Sequence, residues 1–235
     1  MHRILKAGFK RLGLVHRGKR RARDLDDFVR DRGIDLVIDV GANTGQFGES
    51  LRAGGYQGKI VSFEPFSAAF QILKQKADAD GNWEAHQLGL SAKEGSAALH
   101  VSELAVFNSM QKTTGVAQMH DRRMAVSRDE EIGLRTLDQV ASGLTGTILL
   151  KIDTQGHERQ VLEGGRQTLA RSLGVMMELA VIHTYEGAWR FHEAVKYMED
   201  AGFVPAQIEP VGFHGRDKVS AVEFDCLFRP RSAID

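Results

Sequence analysis

The stretch "LVIDVGANTGQFGESL", from Leu36 to Leu51, joins a hydrophobic run to a glycine-rich turn and then to a helical pattern. The run "LVIDV" is typical of a buried strand, and Phe47 lies four residues before Leu51, on one face of a helix that we predict from Thr44. A strand, a glycine turn and a helix in this order open many nucleotide-binding sheets. The stretch therefore predicts an α/β fold with a ligand at the turn, although Asp39 places a carboxylate two residues before the first glycine.

Strand-like and helical patterns alternate along the rest of the chain. The strand patterns are "KIVSFEP" (59–65), "WEAHQLGLS" (83–91), the apolar run of "GTILLKIDTQGHE" (146–158), "GVMMELAVI" (174–182), "FVPAQIEPV" (203–211) and "SAVEFDCLF" (220–228). Helices are predicted from a cap at Ser67, through Val161 and Leu162, and over 189–202. The last two strands have no room for a helix between them, so we expect them to pair antiparallel. Five βα units closed by this hairpin predict a mostly parallel sheet with one reversed strand.

Residues 97–136 interrupt the alternation before the fourth strand of the sheet. Here "AALHVS" and "EEIGLRTL" read as strands on either side of a polar segment that contains "FNSMQKTTG". This connection is long for a plain αβ loop. We therefore predict an inserted β hairpin or a lid over the site, with the turn at Asn108 and Ser109 facing either an acceptor or solvent.

The composition indicates one soluble globular domain preceded by a basic leader. The chain has 235 residues, and its single cysteine, Cys226, excludes a disulfide framework and favours a reducing, cytoplasmic setting. Residues 1–23 contain nine Lys or Arg and no acid, whereas the remainder has 31 acidic against 22 basic residues. We divide the chain into a leader (1–33) and a domain (34–235). The leader is typical of a solvated basic tail or of an amphipathic helix at the inner face of a membrane, and no apolar run is long enough to span one.

The glycine turn fits S-adenosylmethionine (SAM) better than a dinucleotide. Its sequence, Gly41-Ala42-Asn43-Thr44-Gly45, lacks the middle glycine of G-x-G-x-x-G, and no Lys-Ser or Lys-Thr follows as in a P-loop. A carboxylate two residues earlier would repel a pyrophosphate, which weighs against NAD and FAD. SAM has no phosphate and carries a cationic amino group and a sulfonium, so the same carboxylate becomes a charge-assisted partner.

Further residues of the turn and of the second strand agree with this ligand. Gly41 and Gly45 let the backbone pass close under a ligand. Asn43 presents an amide to the methionine carboxylate or caps the helix. Glu64 ends the second strand 25 residues after Asp39, where an acid accepts both ribose hydroxyls. The predicted donor-binding residues are Asp39, Gly41, Ala42, Asn43, Gly45, Phe47, Glu64, Pro65, Gly89, Leu90 and Asp153.

Several motifs together resemble one family. These are "VIDVGANTGQF", "VSFEP", "LRTLDQV", "LLKIDTQGHE", "VLEGG", "MMELAV" and "EFDCLFRP". With them, the chain is similar to the FkbM family of class I SAM-dependent methyltransferases over roughly residues 34–229, and "KIDTQGHE" followed by "VLEGG" is the most specific part. The resemblance implies a Rossmann-like sheet of order 3-2-1-4-5-7-6 with strand 7 antiparallel. It also implies O-methylation, often of sugar hydroxyls in glycolipids, polysaccharides or secondary metabolites. One departure is Gln155, which stands where the family motif D-x-E-G-x-E usually has an acid.

Candidate catalytic residues lie at the ends of the fourth and fifth strands. Methyl transfer from a sulfonium to oxygen needs alignment and removal of a proton. Asp153 is our first candidate for contact with the acceptor hydroxyl, and His157 is the candidate base because imidazole titrates near neutral pH. Glu178 and His183 complete the predicted pocket. Asp153 and Glu178 could also supply oxygen ligands to a divalent cation such as Mg²⁺, and we leave metal dependence open.

The sequence leaves the acceptor open. The main hypothesis is a SAM-dependent O-methyltransferase that acts on a glycan, glycolipid or related metabolite. Alternatives are a methyltransferase for a small non-sugar metabolite or a nitrogen centre, and a SAM-binding scaffold without turnover. We expect no nucleic-acid substrate because the body of the chain is acidic, although the basic leader could contact phosphates.

Overall fold

The computed structural model describes most of the chain after the leader. The described residues are 25–115, 122–182, 184–213 and 219–233. The basic stretch 1–23 of the leader lies outside them, so its predicted contact with a membrane stays a prediction. The predicted division of the chain at residue 33 also stays a prediction. No helix within the described residues is both long and apolar enough to cross a bilayer.

Ten strands form two sheets. The strands in chain order are β1 Leu36–Val40, β2 Lys59–Phe63, β3 Trp83–His86, β4 Gly89–Leu90, β5 Gly95–Ser102, β6 Val126–Arg135, β7 Ile148–Ile152, β8 Ser172–Ala180, β9 Phe203–Phe213 and β10 Ala221–Pro230. The large sheet has the order β3-β2-β1-β7-β8-β10-β9, and the small sheet has the order β4-β6-β5.

The large sheet confirms the predicted fold class. Strand β10 runs antiparallel to both of its neighbours, β8 and β9, and the remaining pairs are parallel. Numbered along the whole chain, the order differs in detail from 3-2-1-4-5-7-6, because β4, β5 and β6 belong to the small sheet. When only the seven strands of the large sheet are counted, the two orders coincide and the reversed strand is the seventh.

The described residues also form seven helices and three short 3₁₀ turns, most of which connect the strands. The helices are α1 Leu25–Asp31, α2 Gln46–Ala53, α3 Ser67–Ala79, α4 Leu137–Ala141, α5 Glu158–Glu163, α6 Arg166–Ala170 and α7 Phe191–Asp200, and the 3₁₀ turns are Ala105–Phe107, Arg122–Met124 and Arg231–Ala233. Residues of α1, α2 and α3 share one apolar cluster with the sheet, and residues of α4 to α7 share a second cluster. The sheet is therefore covered on both faces, which is why all five residues of β1 and all of β7 except Lys151 are buried without alternation.

Two predicted strands end differently in the structure. The pattern at 83–91 is divided, because β3 ends at His86 in the large sheet while Gly89 and Leu90 pair in parallel with β6 of the small sheet. The pattern "EEIGLRTL" ends at Arg135, since Thr136 caps α4. Thr136 Oγ1 accepts from the Gln139 amide at 3.2 Å, and Gln139 Oε1 accepts from the Thr136 amide at 2.9 Å. This capping box stops the strand one residue before the helix begins.

Candidate functional site

A cavity of about 480 Å³ opens at the carboxyl ends of the parallel strands. Its wall is built from the turn after β1, the end of β2, the segment around β4, the ends of β7 and β8, the insert and β10. The lining includes ten predicted site residues, namely Gly41, Ala42, Asn43, Phe47, Glu64, Pro65, Gly89, Leu90, Asp153 and Glu178. Three other predicted site residues, Asp39, Gly45 and His157, are not part of the cavity lining that the structure describes. His183 lies outside the described residues.

The glycines of the turn are required by packing against protein. Gly41 has a φ of +77°, and a Cβ there would lie 1.8 Å from the Asp153 carbonyl oxygen. Gly45 has a φ of +89°, and its Cβ would meet Leu73 and Trp83 at 3.1 Å. We expected these glycines to make room for a ligand. The structure shows that Gly41 also lets the turn after β1 pass close to the Asp153 carbonyl at the end of β7, and its predicted role beneath a ligand stays a prediction.

Glu64 is held by two backbone amides at the edge of the cavity. Its Oε2 accepts from the Asn43 amide at 2.7 Å, and its Oε1 accepts from the Phe66 amide at 2.8 Å. Burial raises the pKa of Glu64 to about 7, against the lowering effect of these two bonds. A carboxylate has about four acceptor sites, so two remain available to hydroxyl donors of a ligand.

Asp39 lies beneath the cavity wall and is fully buried beside Lys151. Lys151 Nζ is 3.2 Å from Asp39 Oδ1 and 3.5 Å from Asp153 Oδ2, and it donates to the Gly41 carbonyl at 3.2 Å. Burial raises the pKa of Asp39, and the adjacent ammonium opposes that shift. Burial alone would lower the pKa of Lys151, but the carboxylates of Asp39 and Asp153 outweigh it and raise that pKa. We favour the ionised pair, because the ammonium is surrounded by two acids and a carbonyl.

The loop after β7 is shaped by Glu158. One oxygen of this buried carboxylate, Oε1, accepts from the amides of Thr154 and Gly156, each at 3.0 Å. The loop turns through two left-handed residues, Gln155 with a φ of +52° and Gly156 with a φ of +96°. Glu158 therefore acts within the protein to close the loop, and this closure presents Asp153 and Gln155 to the cavity.

Gln155 connects several polar groups of the site. Its Nε2 donates to Asp153 Oδ1 at 3.0 Å and lies 3.4 Å from Glu178 Oε1. Its Oε1 lies 3.1 Å from the Tyr185 hydroxyl, and its backbone carbonyl accepts from Ser109 Oγ at 2.6 Å. The side-chain amide thus has polar partners at both its nitrogen and its oxygen, and its nitrogen faces the two carboxylates.

Four acids line the same part of the cavity. They are Asp153 at the end of β7, Glu178 on β8, and Glu223 and Asp225 on β10. In the antiparallel ladder Asp225 is directly opposite Glu178, so both side chains are on one face. Burial raises the pKa of Glu178 to about 8, and the charges of the other three acids add to the shift. Burial also raises the pKa of Asp225.

His157 is placed away from the cavity, between the insert and β4. Gln111 Nε2 lies 3.0 Å from His157 Nδ1, and Ser91 Oγ lies 3.0 Å from its Nε2. An amide donor at Nδ1 leaves the ring proton on Nε2, where it can be donated to Ser91. Burial lowers the pKa of His157 to about 4. The geometry describes a neutral histidine that joins structural elements, and it does not bring the ring to the acceptor side as our prediction of a base required.

The insert forms part of the cavity wall. Strands β5 and β6 pair antiparallel, and the chain between them contributes residues 105–110 to the lining. Ser109 bonds to the loop after β7 as described above, and the Thr114 amide donates to the Thr184 carbonyl at 2.8 Å. The predicted β-rich insert over the site is therefore present, and both Asn108 and Ser109 face the cavity.

The sequence did not predict three charged residues of the cavity lining, Lys151, Glu223 and Asp225, nor the bridging position of Gln155. Lys151 had a signal, because a lysine inside the buried run "ILLKI" must find a carboxylate partner. The acids of β10 also interrupt an apolar strand, but only the sheet order brings them beside β8. The described residues contain no group of three or more His, Cys, Asp or Glu arranged to hold a metal ion.

Comparisons with known proteins agree with the fold and with the family resemblance. The model of the Methyltransferase FkbM domain matches residues 39–205. The chain is 26% identical over 193 residues to "Methyltransferase sdnD" of Sordaria araneosa, which covers 72% of this chain and 73% of that protein. It also resembles the crystal structure of a methyltransferase FkbM from Methylobacillus flagellatus KT, with a TM-score of 0.51 and 14% identity. That match covers 83% of this chain but only 43% of the other.

The sheet order and the cavity at its carboxyl edge define a class I methyltransferase fold. Because the family model covers well over half of the chain, the protein belongs to the FkbM family of SAM-dependent methyltransferases.

Proposed function

We propose that the protein is an O-methyltransferase that transfers the methyl group of SAM to a hydroxyl of a glycan, a glycolipid or a related metabolite. The observation that carries the proposal is one continuous cavity. At one side of it lie the turn after β1 and Glu64, and at the other lie Asp153 and Glu178. A donor and an acceptor that occupy the two sides would meet within the same enclosed space.

The donor would lie across the carboxyl ends of β1 and β2. Glu64, already fixed by two amides, would accept the ribose hydroxyls with its remaining lone pairs. The methionine end would lie along Gly41 to Asn43, next to Lys151. For Asp39 we propose a part different from the predicted contact with SAM, because its side chain is buried below the wall. We propose that it holds Lys151 in place and does not touch SAM.

The acceptor hydroxyl would lie on the cavity side of Asp153 and Glu178, whose Oδ1 and Oε1 atoms face the Gln155 amide. Its oxygen attacks the methyl carbon, the carbon–sulfur bond breaks, and the electron pair of that bond stays on sulfur to give S-adenosylhomocysteine. The hydroxyl proton passes to the carboxylate of Glu178, the general base, while Asp153 orients the acceptor. A base whose pKa is about 8 is well matched to a proton transfer near neutral pH.

The charge of the acceptor side favours a neutral acceptor. Four carboxylates line it, and the ammonium of Lys151 is already engaged by two of the protein's own acids. Phosphate groups of a nucleic acid or of a phosphorylated sugar would be repelled there. Hydroxyl groups of a sugar would instead donate hydrogen bonds to the carboxylates. A small non-sugar metabolite with a hydroxyl group remains the second candidate, because the lining would accept its donors equally.

Two measurements test this function. Calorimetry should show binding of SAM and S-adenosylhomocysteine, and mass spectrometry should show the mass gain of one methyl group on a neutral glycan or glycolipid. Asp153→Asn should retain SAM binding and lose most of the transfer. Binding of SAM without transfer to any hydroxyl acceptor would identify a scaffold. Binding of NADH without SAM would refute the donor assignment.

A further inference from the structure

Gln155 is the one position of the motif "KIDTQGHE" that departs from D-x-E-G-x-E, and its side chain lies at the centre of the acceptor side. Its Nε2 is 3.0 Å from Asp153 Oδ1 and 3.4 Å from Glu178 Oε1. An amide NH₂ group has two protons and can offer one to each carboxylate. Two acids that would otherwise repel each other therefore share a neutral donor.

The orientation of this amide is set by the two carboxylates. Tyr185 is buried, and its hydroxyl lies 3.1 Å from both Gln155 Oε1 and the Phe107 carbonyl oxygen, so its one proton is shared between these two acceptors. A flipped amide would turn its oxygen lone pairs towards two carboxylates, which is electrostatically unfavourable. The backbone is also held, because Ser109 Oγ donates to the Gln155 carbonyl at 2.6 Å. The nitrogen is thus the atom that faces Asp153 and Glu178.

A divalent cation needs oxygen lone pairs at this position. Mg²⁺ and Mn²⁺ bind carboxylates and carbonyls, whereas an N–H group is a donor and cannot ligate them. With Gln155 oriented as described, a cation between Asp153 and Glu178 would face two protons of the amide. The residues present therefore do not fit the magnesium site that the two carboxylates by themselves had suggested.

We propose that Gln155 is a positioning residue whose amide N–H groups hold Asp153 and Glu178 in place of a bridging cation, so that this chain transfers methyl groups without a divalent metal. The inference rests on the proposed function for the roles of Asp153 and Glu178. Gln155 acts only through these acids. The substitution Gln155→Glu replaces the NH₂ group by oxygen at nearly constant shape. It therefore places three carboxylates together, and we expect this variant to bind a divalent cation.

The test is a titration of the whole chain with Mn²⁺ in the presence of S-adenosylhomocysteine. The free ion is monitored by its electron paramagnetic resonance signal. Gln155→Glu should bind Mn²⁺ at least about tenfold more tightly than the wild type. Asn108→Asp is the matched control, because it adds one negative charge to the cavity lining at a side chain that accepts from the Ser102 amide at 2.9 Å. It should bind Mn²⁺ no more tightly than the wild type.

A second variant keeps the test decisive if Gln155→Glu does not fold. Gln155→Ala removes the donor and leaves space for water, so it should also gain Mn²⁺ affinity, by less than the glutamate variant. In assays of transfer, EDTA should leave the wild type unchanged. It should lower kcat of Gln155→Glu, with recovery on addition of Mg²⁺ and no change in the KM for SAM.

Two results would overturn the proposal: tight Mn²⁺ binding by the wild type with loss of transfer in EDTA, or no gain of Mn²⁺ affinity in either variant. Failure of the proposed function gives a different result. In that case no hydroxyl acceptor is methylated by the wild type, and the Mn²⁺ titration still decides the part played by Gln155.

Discussion

The two sides of the cavity are built by different means. On the donor side, backbone groups position the site. Two amides hold Glu64, and the close packing of Gly41 against the Asp153 carbonyl holds the turn. The buried carboxylate of Asp39 on this side is paired with the ammonium group of Lys151. On the acceptor side, side chains from β7, β8, β10 and the insert meet, and carboxylates outnumber cations. Under the proposed function, the donor side would hold a constant ligand with backbone geometry, whereas the acceptor side would select its ligand through side-chain charge.

The largest expected effect tests the backbone of the donor side. Gly41→Ala should destabilise the protein by about 4 to 6 kcal/mol, because the left-handed backbone and the clash with the Asp153 carbonyl each cost up to about 3 kcal/mol. Gly55→Ala is the control, since Gly55 has a φ of +91° but a Cβ there would meet no atom within 4 Å in the described structure. It should cost only about 1 to 2 kcal/mol. Equal losses in chemical denaturation would show that packing on Asp153 is unimportant.

Removal of the buried cation comes next. Lys151→Met should cost about 3 to 5 kcal/mol, because it leaves the carboxylate of Asp39 buried without its counter-ion. The double variant Asp39→Asn/Lys151→Met should recover a large part of this loss, since a neutral amide is cheaper to bury. Thermal and urea unfolding of the wild type and of these two variants form the test. A double variant that is no more stable than Lys151→Met would contradict the ion pair.

Two glutamates distinguish the sides directly. Glu178→Gln should lower kcat by about 10²- to 10⁴-fold without weakening SAM binding, because it removes the base. In the wild type, the rate should rise with pH through about 8 as Glu178 loses its proton, and the variant should lack this rise. Glu64→Gln should instead weaken SAM binding by about tenfold or more, as expected for loss of a charged hydrogen-bond acceptor. Equal effects of both variants on SAM affinity would remove the distinction between donor and acceptor sides.

The smallest effect concerns His157, whose folded pKa of about 4 lies below its ordinary value of 6.5. The unfolded chain therefore binds more protons than the folded protein between these pH values. The contribution of His157 to the free energy of unfolding is fully present above pH about 6.5 and is lost as the pH falls towards 4. The loss should be about 2 to 3 kcal/mol. His157→Asn should show a shallower decline of unfolding free energy over this range, whereas substitution of the exposed His86 by Asn should not. An unchanged slope in His157→Asn would refute the prediction.

The donor side could be predicted from the sequence because its residues are close together in the chain. The strand, the turn and Glu64 form local motifs, and six of the eight predicted donor residues from that region line the cavity. The acceptor side could not be predicted to the same degree. Asp225 reaches Glu178 only because β10 inserts between β8 and β9, and His157 lies within the right motif but turns towards Ser91. Spacing along the chain does not determine which way such a side chain points.

The placement of the two tryptophans gives the molecule a pair of optical reporters. Trp83 packs under the donor turn at Gly45, and its indole N–H donates to Ser62 at 2.9 Å. Trp189 lines a small pocket with Asp153 and Glu178. Since the chain contains no other tryptophan, the fluorescence of Trp189→Phe follows the donor side and that of Trp83→Phe follows the acceptor side. The order in which the two ligands arrive can therefore be read from the unlabelled protein.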